Sequence, residues 1–527
     1  MVAEQRQALA VGSSTAKSLV TVAGQQAPLL NYHLLRYHKG QIDLTRIGTM
    51  LAPAKVLAAS LENATGRLDS VRSPWLVGPV RASLVTFDQK LDQAEASARL
   101  AITAIPVLPG LLGADGPQHY FVAFVSPSEA RGLDGIIGAY GELTASDGHI
   151  SLVASGPDQS LDSALPSDGG ALTGLSEYLA RYGGFDPGRY FQDVTFSPDF
   201  PTVANVIAQL YPQAGGEHID GVLMIDPYAL ARLLSITGPV KVPGLPEPLS
   251  SANAADVLLK DQYLSEAVTN AANQATRHDF LQNALHVTFQ RLVNGTLPAP
   301  KALARALDPA VRAGRIALWS ANRADLPLID ALHLGDAFPQ ADGEDLVSVS
   351  AQNAGANKID AYLHQSIVDR VLENPTTGAV SATVTVSLRN DAPSSGLPPI
   401  VIDSPSAPGT PTGANYDWLS IYTPFTLRGI STEGAISPVS SGRELGVKVY
   451  SGWVLVPPQS TLTVAFSLSG SVFPGPAYEL HVRLQPSVNP VKFQARVSST
   501  DGHGARGPEM TWIAGTGVDQ VHVFATG

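Results

Sequence analysis

Cysteine is absent from all 527 residues, which excludes disulfides, thiol nucleophiles, iron–sulfur clusters and zinc–thiolate sites together. It assigns no redox compartment, since a chain without thiols suits an oxidising space as well as a reducing one. Charge is scarce too. Asp, Glu, Lys and Arg supply 15% of the chain, against the ~25% usual in soluble domains, while hydrophobic residues reach 44%. A disordered, heavily solvated chain is thereby excluded. Basic residues are outnumbered, 34 against 46, for a formal charge of −12, and they cluster nowhere, so nucleic acid is not expected as a partner. No apolar run reaches the roughly eighteen residues of a membrane span, and the opening MVAEQRQALAVGSSTAKS lacks the charged-then-apolar order of a signal peptide. Also missing are G-x-x-x-x-G-K-[ST], H-E-x-x-H and G-x-S-x-G. Nucleotide hydrolysis and the common esterase and zinc-protease mechanisms lose support, and no nucleotide, flavin or haem is expected.

What is present is a long, turn-rich chain, with 48 glycines and 40 prolines but no collagen-like triplet period. Its length suggests two or three domains. Residues 1–105 read as a helical region, with Leu84, Phe87, Leu91, Ala94 and Ala98 at steps of three and four and a break at Pro74 to Pro79. His33 and His38 lie there without a carboxylate or third histidine suitably placed to make a ligand set. Residues 106–344 read as an α/β domain. Tyr120 to Val125 is a continuous apolar run of strand length, as in a sheet covered on both faces, and Ile136 to Leu143 follows. Asp147-Gly148 then turns the chain into Ile150 to Val153. Helices are expected at 171–182 and 201–213, and a strand at 218–226 runs into a helix that starts at Pro227. Residues 345–527 alternate with period two, at 382–388, 462–468, 478–484 and 491–497, which makes a β-sandwich the economical expectation.

The densest polar constellation is Ser126 to Gly141, with glycines at 132, 135, 138 and 141. Glycines in a strand mark a bulge or the close approach of a ligand or another backbone. Arg131 emerging there is suited to hold phosphate or carboxylate oxygens, with Asp134 orienting the guanidinium or joining a metal shell. The competing reading pairs Arg131 with Glu129 or Asp134 simply to satisfy buried charge. Asp199, in Phe196-Ser197-Pro198-Asp199-Phe200-Pro201, is a second candidate for base or metal ligand, and equally a helix cap. Asn353 and Lys358, in Gln352-Asn353-Ala354-Gly355-Ala356-Asn357-Lys358-Ile359-Asp360, are a third, placed where Lys358 reaches a cleft between domains or simply lies in a solvated turn.

These segments resemble an envelope-protein family known as the domain of unknown function 4012. The resemblance lies in Leu111 to Pro117, Glu129-Ala130-Arg131 with its Gly-rich tail, Ser197 to Pro201, Val222 to Pro239, Ser251 to Ala254 and Asn353 to Tyr362. It implies an extracytoplasmic protein held at the membrane through an anchor absent from this chain. Residues 117–295 also resemble, distantly, the LytR-CpsA-Psr glycopolymer ligases, through Ile219 to Asp226 with Gly238-Pro239-Val240, Ser251 to Tyr263, and Ala275 to Leu281. This implies a layered α/β fold and transfer of a polyprenyl-pyrophosphate-linked glycopolymer, with Mg or another divalent metal as cofactor and a cell-wall glycan or lipid carrier as partner. Carried over to this chain, Arg131, Asp134 and Asp199 are the catalytic candidates, with Asp134 and Asp199 on the metal. Glu129, Lys260, Arg277, Asn353 and Lys358 are the substrate-binding candidates. Where the ligases place an arginine pair, this chain has Leu258 to Tyr263 with none, so fold is expected to be inherited more securely than activity. The alternatives are a non-catalytic glycan- or lipid-binding envelope module and a glycoside hydrolase drawing two carboxylates from Glu129, Asp134, Glu142 and Asp199.

Overall fold

The computed structural model describes residues 2–31, 41–243, 245–264, 283–292, 298, 300–500 and 506–526. The chain begins with four helices: α1 (Val2–Gln26), α2 (Leu44–Thr49), α3 (Leu51–Asp69) and α4 (Gly78–Leu111). The expected stripe on α4 packs as its spacing requires, with Leu91 and Ala98 buried and Leu84, Phe87 and Ala94 half-buried against Leu61 and Leu68 of α3. The break falls between α3 and α4, and Pro79 sits in the first turn of α4, where its missing N–H costs nothing. His33 and His38 lie outside the described residues. Among the described residues no helix is long and apolar enough to cross a membrane.

A five-stranded sheet follows, built from β1 (Gln118–Arg131), β2 (Asp134–Ser146), β3 (His149–Pro157), β4 (Gly221–Ile225) and β5 (Ile316–Ser320) in the order β3-β2-β1-β4-β5. Only the β1–β4 pairing is parallel. Alternate residues of the apolar run serve two separate cores. Phe121, Ala123 and Val125 pack beneath α5 (Asp158–Ala164), α6 (Ser176–Tyr182), α7 (Phe200–Leu210) and the 3-10 segment Phe191–Phe196. Val122 and Phe124 face α8 (Pro227–Thr237) and the helix Pro300–Arg312. Burial on both faces is why the run carries no polar alternation.

The remaining strands are β6 (Asp345–Asn353), β7 (Leu363–Asn374), β8 (Ala379–Asn390), β9 (Asn415–Thr423), β10 (Thr426–Glu433), β11 (Ser440–Glu444), β12 (Val447–Val456), β13 (Ser460–Ser471), β14 (Ala477–Leu484), β15 (Lys492–Ser499), β16 (Met510–Ile513) and β17 (Asp519–Ala525). They form two six-stranded sheets, β10-β13-β8-β7-β15-β16 and β11-β12-β9-β6-β14-β17. Residues of both sheets share one apolar core, Val384, Val386, Val464 and Phe466 on one side and Leu419, Ile421, Val454 and Val482 on the other. The opposite face of the second sheet turns toward the central α/β part. There Tyr182 donates to Glu444 at 2.8 Å and Arg181 donates to the hydroxyls of Ser420 and Ser451 at 2.8 and 3.0 Å.

Candidate functional site

The β1–β2 connection shows what its glycines are for. Arg131 pairs with Asp134 across the turn, and the register slips between Ser126 and Ala130, so 127–129 bulge out. A Cβ on Gly132 would stand 2.1 Å from the Phe196 carbonyl oxygen, and one on Gly135 would stand 1.9 Å from that of Ser126. Both glycines admit another stretch of backbone. Asp134 holds a φ of 135°, a conformation side chains rarely adopt.

Arg131 is 8% exposed. Its Nε and Nη2 donate to Asp193 Oδ1 at 3.0 and 2.5 Å, and its Nη1 donates to the Ala130 and Asn353 carbonyls at 3.0 and 2.8 Å. Its guanidinium also lies 5.2 Å from the Phe196 ring centroid. Asp134 is fully buried, with Oδ1 at 3.3 Å from Arg315 Nη1, which also reaches Asp226 Oδ2 at 3.0 Å. Burial, then the neighbouring Asp226 carboxylate, pushes the Asp134 carboxyl well above its usual range, although Arg315 opposes the shift. Asp199 caps α7: Oδ2 accepts from the Thr202 amide and hydroxyl at 3.0 and 2.6 Å, and Oδ1 from the Phe338 amide at 2.8 Å.

Asn353 is a clasp. Its Nδ2 donates to Asp360 Oδ2 at 2.8 Å and its Oδ1 accepts from the Gly355 and Ala356 amides. Asp360 also accepts from the Ala130 amide and from Asn415, both at 2.8 Å, so one carboxylate joins the end of β1 to β9. Burial raises this carboxyl to about 6 despite those donors and Arg131. Lys358 is buried and its ammonium sits on Glu129 and 5.1 Å from the Tyr263 ring centroid. Burial alone would lower its pKa, but the Glu129 carboxylate holds it above the ordinary lysine value. Lys260 is exposed, its ammonium 4.9 Å from the ring centroid of Tyr362. Arg277 lies outside the described residues.

Arg131, Asp134 and Asp199 therefore each answer to a different partner: Asp193, Arg315 and the start of α7. Among the described residues no group of three or more His, Asp or Glu is placed to hold a metal ion. Of the carboxylates weighed as a hydrolytic pair, Glu129 faces Lys358, and Glu142 accepts from the Tyr211 hydroxyl at 2.7 Å.

One concave site does include Arg131. A cleft of about 510 Å³ opens between the 3-10 segment Phe191–Phe196 and the outer face of β6, β9 and β12. Its α/β wall carries Phe185, Tyr190, Asp193 and Phe196, and the opposite wall Gln352, Tyr416, Trp418 and Trp453. Register explains the second wall. Gln352 lies across from Trp418, and Trp418 across from Trp453, so the three form one row on one face. Trp418 and Trp453 stack with centroids 6.0 Å apart, and Tyr416 and Trp453 with centroids 5.4 Å apart. Gln352 is 2% exposed, and neither its Oε1 nor its Nε2 has a partner. Sequence reasoning missed Asp193 and the three aromatics of β9 and β12. Tyr416 and Trp418, two apart in a strand otherwise alternating toward a core, were the available signal.

Residues 115–263 match the family described as Protein of unknown function (DUF4012). The matched segment includes the α/β wall of the cleft, Arg131 with it, whereas the tryptophan wall lies beyond it. No curated protein matches the chain. Among solved structures it is similar to a protein of Legionella pneumophila described as nutrient binding, at 8% identity and TM-score 0.22, over 34% of this chain and 70% of that one. It is also similar to an M1 zinc metallopeptidase of Deinococcus radiodurans, at 12% identity and TM-score 0.17, over 29% of this chain and 39% of that one.

Proposed function

We propose that the protein is a cell-envelope component that binds a glycan in the cleft between its α/β and β-rich parts without transferring it. The observation that carries this reading is the wall of Tyr416, Trp418 and Trp453, whose stacked rings offer flat apolar surface to the C–H face of a sugar ring. In the same reading the two six-stranded sheets form a β-sandwich, and the central sheet between its helices keeps the layering expected from the ligase resemblance. Glycopolymer transfer receives less support. Stabilising a phosphoryl group needs cations free to meet it, and Arg131 already spends four of its five N–H donors on Asp193 and two carbonyls. Paired-carboxylate hydrolysis receives less still, because Asp193 is the carboxylate of the cleft and it is held by Arg131.

Two of the five tryptophans line the cleft, so intrinsic fluorescence reports on it. Titration with soluble cell-wall oligosaccharides is expected to change the emission of the wild type. Trp453→Ala is expected to weaken binding by about fivefold, in keeping with the ~1 kcal/mol of an aromatic contact. The reading fails if calorimetry detects no heat with any envelope glycan.

A further inference from the structure

We infer that the cleft selects uncharged sugar units bearing an acetamido group, which it reads with the Gln352 carboxamide; this rests on the glycan-binding reading above. The first support is charge. Arg131 and Asp193 are the charged residues lining the cleft, and they neutralise each other through contacts of 3.0 and 2.5 Å. An anionic sugar or a pyrophosphate entering the cleft meets no uncompensated cation.

The second support is Gln352 itself. It belongs to β6, directly across from Trp418, at the margin of the aromatic row. A buried carboxamide with both ends unpartnered is costly, because neither end recovers the hydrogen bonds it gave up to water. The ligand that removes this cost must present one acceptor and one donor together. A secondary amide does so: its carbonyl accepts from Nε2 while its N–H donates to Oε1. The acetamido methyl then lies against apolar surface, which the neighbouring rings of Phe185 and Trp418 provide. A plain sugar ring keeps the stacking contact and leaves the carboxamide unpaired. Sites built to hydrogen-bond a substrate group reject the analogue that lacks it.

The test compares two uncharged tetramers of the same linkage, β-1,4-linked N-acetylglucosamine and β-1,4-linked glucose, by calorimetry against the full chain. The wild type is expected to bind the acetylated tetramer at least tenfold more tightly. Gln352→Met, of similar length and apolar, is expected to bring the two affinities within about threefold of each other, chiefly by weakening the acetylated tetramer. Equal wild-type affinities overturn the acetamido assignment and leave glycan binding standing. Failure of both tetramers, together with silence of the tryptophan emission toward all envelope glycans, overturns both readings. Should Gln352→Met not fold, as judged by its melting transition, the wild-type ratio decides the question by itself.

Discussion

At Arg131 the desolvation of a guanidinium is offset by Asp193 and by two backbone carbonyls, one of them from β6. The arginine therefore joins the two halves of the molecule at the lip of the cleft, and its charge is silent toward a ligand. Removing the counter-charge should make it audible. Asp193→Asn is expected to destabilise the fold by about 3 kcal/mol, since breaking a buried pair from one side leaves the other charge exposed to a poor environment. It is also expected to confer weak binding of inorganic phosphate that the wild type lacks. Urea unfolding measures the first effect, and phosphate titration the second; a variant of unchanged stability would show that the pair is screened by solvent.

At the level of the elements, β1 and β2 are held by close backbone contacts that leave no room for a methyl group. Gly135→Ala would drive its Cβ into the Ser126 carbonyl, at 1.9 Å, across the very register slip that lets 127–129 bulge. A loss of about 3 kcal/mol is expected in denaturant unfolding, of the size of severe overpacking. Gly429, whose Cβ would meet nothing within 4 Å, is the control and should tolerate alanine within about 1 kcal/mol. These glycines could be picked out from the sequence as special, but their cause could not: a close approach of ligand and one of backbone leave the same residue behind. Local patterns were otherwise informative. The period-two strands at 382–388 and 462–468 lie in β8 and β13, the Asp147-Gly148 turn joins β2 to β3, and Pro227 opens α8. What stayed hidden was made by register over long separations. Arg131 meets Asp193 62 positions away and Asn353 222 positions away, and Gln352 finds Trp418 through strand pairing alone. The same holds for Arg315, whose link to Asp134 crosses 181 positions.

Across the molecule, carboxyl groups are buried in unusual number, and this sets how the fold answers to pH. Burial, aided by Asp162, raises Asp158 to about 8; burial raises Asp345 to about 7; and burial raises Asp360 to about 6. In the unfolded chain each would titrate near ~3.9. Between those limits the folded state binds more protons than the unfolded state, so stability is greatest below about pH 4 and declines as pH rises toward 8. Each such group contributes a slope of about 1.4 kcal/mol per pH unit while it spans the interval. Urea midpoints are therefore expected to fall steadily from pH 4 to pH 8, with Asp345→Asn flattening the part of the curve below pH 7. A midpoint rising over that range would contradict the sign.

One bank of the cleft comes from 3-10 segments of the central part and the other from strands of the second six-stranded sheet, and only the first belongs to the matched 115–263 segment. A chain could thus keep that segment intact while exchanging the tryptophan bank for another, so a match over one bank alone leaves the shape of the cleft undetermined.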